Sequence, residues 1–209
     1  MTPFLRLQGI AAPLPVENVD TDALIAVQHL YTLKKTGLGK FLLHRWRYNQ
    51  EGHENPGFVL NRAEFRKASI LVARANFGCG SSREHAVWAL ADYGFRCVIA
   101  PSFASILYEN CVNNGILPVV LPAERVEELL ALLENGTEKT VSVELSSCLV
   151  TFPDGSITAF TINQAHRQAL LEGIDPIGFA MRHQEAIAKF QHDDRLLRPW
   201  IWGPQGRGN

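Results

Sequence analysis

The sequence is poor in several things that would give its function away. Its formal net charge is only −1 and it has no basic stripe, so it carries no electrostatic footprint for nucleic acid or for an anionic membrane. No apolar run approaches the ~20 residues that a membrane span requires. The opening MTPFLRLQGIAAPLP lacks a basic start followed by a long apolar stretch, so no secretion signal is read and a cytoplasmic chain is the expectation. Internal repeats and low-complexity blocks are absent. Four cysteines stand far apart, at Cys79, Cys97, Cys111 and Cys148. No pair has the close spacing of a zinc knuckle or a redox couple, so a metal or iron–sulfur cluster held by this chain alone is not expected. Three of them read as small core hydrophobes. Cys79 lies in a glycine-rich loop, where Arg83 is the one nearby stabiliser of a thiolate.

What is present is a chain of 209 residues, 46% hydrophobic and 20% charged, enough for one well-buried domain or one domain with a small extension. The opening is extended and proline-punctuated, with a strand-like run from Phe4 to Ile10. The middle is the most regular part. SILVARA (69–75), RCVIA (96–100) and 116–121 read as buried strands, separated by helices over 83–93 and after Pro101. A further helix spans 123–134. Strand, helix, strand, helix, strand is the pattern of a parallel sheet with right-handed crossovers. Beyond residue 139 the period drops to two: VSVEL, CLVTF and ITAFTI alternate around a Pro153–Asp154–Gly155 turn, which predicts antiparallel strands. Helices are expected over 163–172 and 176–190. The last stretch, 191–209, has no period, and Trp200 and Trp202 favour contact over free solution.

The segment NFGCGSSREHA (76–86) joins an apolar strand to a helix. It lacks the lysine of a Walker-type phosphate loop. The third glycine of a dinucleotide fingerprint is missing, and neither serine sits in the G-x-S-x-G of a hydrolase elbow. A bland reading fits: Ser81 as N-cap with Glu84 three residues on, a capping box. It leaves the second serine and the glycines unexplained. A functional reading starts from the free N–H groups and partial positive charge of a helix's first turn. An anion is stabilised there, and Ser82 with Arg83 adds donors for a carboxylate. A serine hydroxyl in that field ionises more readily and can take a proton from a carbon next to a carboxylate.

GCGSSREHA strongly resembles the serine loop of the aconitase superfamily's swivelling domain. The longer run from Asn76 to Val119, together with NVDTDALI (18–25), KTGLGKFL (35–42) and the closing segments GIDPIGFA and RPW, is similar to the family of 3-isopropylmalate dehydratase small subunits. The resemblance covers nearly the whole chain. It implies a swivelling β/β/α domain with a parallel βαβαβ core and an added antiparallel β portion, as one domain over 1–190 with a flexible or partner-bound tail over 191–209. It also implies a dehydration–rehydration that moves a hydroxyl between neighbouring carbons of a malate derivative, in leucine biosynthesis. Ser81 would be the base at the carbon-bound proton, with Arg83 beside it. Ser82, Asp22, Lys35 and Thr36 would meet the substrate. The Lewis acid for the leaving hydroxyl would be a [4Fe-4S] cluster on a large subunit, paired with this chain in a heterodimer or heterotetramer.

Several residues depart from the family's usual pattern. Lys35 stands where arginine is usual, and the segment Ile25 to Leu30 lacks the usual proline and lysine. Lysine does not reproduce arginine's bidentate grip. These departures bear on which diacid is bound, so citramalate and dimethylmalate stay open as substrates. His29 reads as a packed histidine, and Asp20 or Thr21 as the helix cap that competes with a site role for Asp22. Two other classes remain: an RNA-binding domain, against which the charge argues, and a stand-alone nucleotide-binding domain, against which the loop argues.

Overall fold

The computed structural model describes residues 1–80 and 83–203. Its chain divides into two compact units, Met1–Gly173 and Ile174–Asn209. The first unit is built on a seven-stranded mixed sheet in the order β4-β3-β2-β1-β5-β6-β7. The strands are β1 (Arg6–Leu14), β2 (Ile70–Ala73), β3 (Cys97–Ala100), β4 (Leu117–Val120), β5 (Thr140–Glu144), β6 (Leu149–Thr151) and β7 (Ile157–Ala159). β1 to β4 run parallel to their neighbours, and β5 to β7 continue the sheet antiparallel from the other side of β1.

The expected parallel core and antiparallel portion are therefore one continuous sheet, with β1 as the seam. β1 also runs four residues beyond the expected strand, and Pro13 lies within it opposite Val72. The parallel strands are apolar throughout because both their faces are covered. Ala12, Leu14, Leu71, Ala73, Val98 and Ala100 face one core. Their alternates Ala11, Ile70, Val72, Cys97, Ile99 and Val119 face the other. The first core is closed by α1 (Thr21–Leu24), α2 (His44–Arg47) and α3 (His85–Tyr93), the second chiefly by α5 (Ala123–Asn135) and α6 (Gln164–Glu172). α4 (Ser105–Asn113) serves both, through Leu107 on one side and Val112 on the other. In α5, Val126, Leu129, Leu130 and Leu133 form the buried stripe that helical spacing demands.

α3 ends at Gly94 with φ +120, as its sequence position predicts. Its start differs from expectation. The first helical residue is His85, Glu84 is the N-cap, and Glu84 makes no side-chain capping bond. Ser81, the N-cap of the capping-box reading, lies outside the described residues, and the N-cap observed at α3 is Glu84. The Glu84 carboxylate is occupied by Asn114 Nδ2 at 2.8 Å instead.

In the second unit the single expected helix is two, α7 (Pro176–Met181) and α8 (Gln184–Leu197). α8 extends past residue 190. Asp194 then accepts from Arg198 Nε at 2.6 Å and from Trp202 Nε1 at 2.9 Å, which ties the following turn onto the helix. No helix among the described residues is long and apolar enough to cross a membrane.

Candidate active site

Three parallel strands, β1, β2 and β3, end on the same edge of the sheet, and the segments that leave them interlock. In open α/β sheets this carboxyl edge is where ligands bind. The glycine loop after β2 is the middle member. Gly78 N–H donates to Val19 O at 2.6 Å and Thr21 N–H to Cys79 O at 3.0 Å, so the loop is laced to the stretch that follows β1. Asn76 Nδ2 donates to Asn18 Oδ1 at 2.8 Å, and the Cys79 thiol to Asn18 O at 3.4 Å. On the other flank, Phe77 N–H donates to Ser102 O and Ala104 N–H to Phe77 O, both at 3.0 Å.

Two of the glycines are demanded by this geometry. Gly78 has φ +76, and a Cβ there would lie 2.1 Å from Leu107 Cδ2. Gly80 has φ +92 and packs beside Asp20 and Thr21. Left-handed backbone at both positions favours glycine.

Ser81 and Ser82 lie outside the described residues, and the structure carries no statement about either. Their neighbours are placed. Asp20 is the cap of α1, accepting from Ala23 N–H at 2.6 Å. That releases Asp22 from capping, and its Oδ1 stands 2.7 Å from Arg83 Nη2. Asp22 and Arg83, more than sixty positions apart in sequence, are thus one ion pair. Arg83 is 24% exposed and Asp22 49%, so the pair is still within reach of a ligand.

The basic segment from Tyr31 to Leu38 forms an irregular loop beside α3. Lys35 Nζ donates to Asn114 Oδ1 at 3.2 Å, lies 4.0 Å from Glu84 Oε1 and sits 5.3 Å from the centre of the Trp88 ring. Its ammonium therefore rests on α3 and the end of α4, with its side chain 62% exposed. Thr36 lines a shallow cavity of about 310 Å³ with His29, Gly37, Lys40 and Phe41. His29 stacks on Phe41 with ring centres 3.9 Å apart, the packed role its sequence suggests. Burial, then the nearby His44 and Lys40, hold its imidazole below the usual range.

Sequence reasoning passed over three ties in this region. Gly39 N–H donates to Asp92 Oδ2 at 2.6 Å. His85 Nε2 meets Thr32 O at 3.0 Å, and Glu84 holds Asn114. The histidine is visible in the motif, but nothing in a single sequence names its partner.

The cysteines do not form a cluster site. Cys97 and Cys111 are buried, and burial raises both thiols, that of Cys111 to about 12. Cys79 and Cys148 are partly exposed and bond to separate backbone carbonyls. Among the described residues no three His, Cys, Asp or Glu side chains gather to hold a metal ion.

The family model for the aconitase C-terminal domain matches residues 1–124. A 3-isopropylmalate dehydratase small subunit from Paramagnetospirillum magneticum is 50% identical over 201 residues, covering 96% of this chain and all of the relative. One from Dinoroseobacter shibae is 48% identical over the same shares. Among solved structures, a 3-isopropylmalate dehydratase from Methanocaldococcus jannaschii aligns with a TM-score of 0.64 at 24% identity. It covers 88% of this chain and 99% of its own, and supports the fold.

Proposed function

This chain belongs to the family of 3-isopropylmalate dehydratase small subunits within the aconitase superfamily, and we propose that it interconverts 2-isopropylmalate and 3-isopropylmalate together with a large subunit. The reaction removes water across two neighbouring carbons and returns it in the opposite sense, in the cytoplasm and in the service of leucine synthesis. The observation that carries the site assignment is the Asp22–Arg83 ion pair at the mouth of the glycine loop. The carboxylate holds the guanidinium in place, and a guanidinium so held presents a planar fork to a substrate carboxylate.

In this reading Ser81 takes the carbon-bound proton onto its oxygen as the hydroxyl leaves the adjacent carbon, and returns it in the reverse step. Arg83, two residues on, favours the ionised hydroxyl through its positive charge. Ser82 and Arg83 receive the substrate carboxylate, with Asp22 as Arg83's orienter. Thr36 contributes from its cavity, and Lys35 reaches substrate by exchanging Asn114 and Glu84 for it. Among the described residues no three His, Cys, Asp or Glu side chains gather to hold a metal, and the [4Fe-4S] group that would polarise the leaving hydroxyl is assigned to the large subunit, in a heterodimer or heterotetramer.

The test is Ser81→Ala in the complex reconstituted with the large subunit. Turnover of 2-isopropylmalate should fall about 10²- to 10⁴-fold, the usual share of a general base, while co-purification of the subunits is unchanged. Retained turnover would remove the base assignment. A second reading, with citramalate or dimethylmalate as substrate, rests on Lys35 in place of arginine. A kcat/KM for either that exceeds the value for 2-isopropylmalate would establish it.

A further inference from the structure

We propose that His85 is a positioning residue that clasps the 31–38 loop against α3 and so sets how tightly substrate is held. The inference rests on the functional reading above for its substrate half only. From Tyr31 to Gly37 every residue is exposed except Thr32, and Thr32 is where His85 attaches. Tyr31 and Leu33, on either side of it, are 90% and 95% exposed. Apolar contact therefore does little to hold this part of the loop. A carbonyl oxygen only accepts, so His85 Nε2 carries the proton and donates to Thr32 O at 3.0 Å. That nitrogen is not a proton acceptor in this arrangement.

The surroundings fix both ends of the bond. The His85 ring lies against the Trp88 ring with centres 4.6 Å apart, which limits its rotation. The Thr32 hydroxyl oxygen accepts from Lys34 N–H at 3.0 Å and shapes the turn that follows. Lys35 then comes down on Asn114 and Trp88, and the loop ends at Gly39, locked to Asp92. His85 is two residues beyond Arg83. The clasp thus couples the segment that holds Arg83 to the loop that carries Lys35 and Thr36. Loosening it changes the separation of groups that must grip one small diacid at once, which weakens binding without altering the proton-transfer groups.

Two variants test this, His85→Ala and His85→Gln, the glutamine amide being able to donate the same bond. The first readout is the rate at which trypsin cuts after Lys34 or Lys35 in the full chain. His85→Ala should be cut about 5- to 10-fold faster than the natural chain, the effect of removing one hydrogen bond from a rapidly opening segment. His85→Gln should return to within about twofold. The second readout is steady-state kinetics of the reconstituted complex with 2-isopropylmalate. His85→Ala should raise KM about 5- to 10-fold with kcat within about twofold, and His85→Gln should restore KM. An unchanged cutting rate in His85→Ala overturns the clasp. Faster cutting with unchanged KM, or a fall confined to kcat, overturns its substrate role. Equal impairment in both variants overturns the hydrogen bond as its cause. Cutting is read on the chain alone and decides the clasp by itself. A natural complex that does not turn over isopropylmalate fails the functional reading, and the substrate half of this inference with it.

Discussion

Replacing Gly78 by alanine tests whether the glycine loop is as tightly built as its contacts imply. The added Cβ would stand 2.1, 2.7 and 2.8 Å from three carbons of the Leu107 side chain, on a backbone at φ +76. A non-glycine residue in the left-handed region costs about 1–2 kcal/mol. Forcing a methyl into a packed site costs about 1–3 kcal/mol more. The stiffer unfolded chain returns roughly 0.4–1 kcal/mol. The net expectation is a loss of about 1–5 kcal/mol, a large part of the 5–15 kcal/mol that holds a typical domain together. Urea unfolding followed by circular dichroism measures it. The cause is separable from the size. Leu107 is 2% exposed, so Leu107→Ala alone should cost about 2–5 kcal/mol as a cavity. In the double variant the alanine methyl enters space the leucine has vacated, and the two losses should fall short of additive by about 1–3 kcal/mol. A Gly78→Ala cost below about 1 kcal/mol, or strict additivity in the pair, would refute the steric argument.

Two further expectations concern the interior. Arg47 is 7% exposed and donates to Asn61 Oδ1, Gly39 O, Leu42 O and the Tyr48 hydroxyl, so Arg47→Met strands several acceptors. The variant should lose about 2–4 kcal/mol in urea unfolding, and a loss under about 1 kcal/mol would show that water replaces the guanidinium. Cys97 and Cys111 have thiols raised by burial, so the folded chain keeps protons that the unfolded chain releases. Their contribution is intact below the unfolded thiol value and is lost as pH climbs from there toward the folded value, about 12 for Cys111. Stability should fall by up to about 1.4 kcal/mol per pH unit per thiol above roughly pH 9. Cys111→Ala should flatten that decline, and an unchanged slope would exclude the thiol as its source.

The parallel strands were legible because burial on both faces leaves no choice but apolar residues, as in Ile70–Ala73 and Cys97–Ala100. β1 was harder to read. Pro13 looked like an end marker, yet it pairs within the strand, and β1's central place depends on partners at 70–73 and 140–144 that no local pattern announces. The start of α3 was read two residues early because Glu84 already has helical dihedrals as the N-cap, while the assigned helix begins at His85. At the site, the glycine motif pointed to Arg83 and the TD pair to Asp22. Their meeting at 2.7 Å is a product of the lacing between 18–21 and 76–80, which only tertiary structure supplies. The same holds for His85 with Thr32 and for Gly39 with Asp92, each a side chain aimed at a distant backbone group.

The seam strand has a consequence for synthesis. β1 is synthesised before the sheet's other strands, yet one of its two hydrogen-bonding edges waits for Thr140–Glu144. At 5–20 residues per second that delay is on the order of ten seconds. Throughout it the nascent chain carries an unsatisfied edge next to an apolar segment, an open template for wrong partners. Pairing across so long a loop also carries a closure entropy that the local pairings do not. Trimming or burdening the first fourteen residues should therefore damage yield far more than their number suggests, since both halves of the sheet are sewn to them.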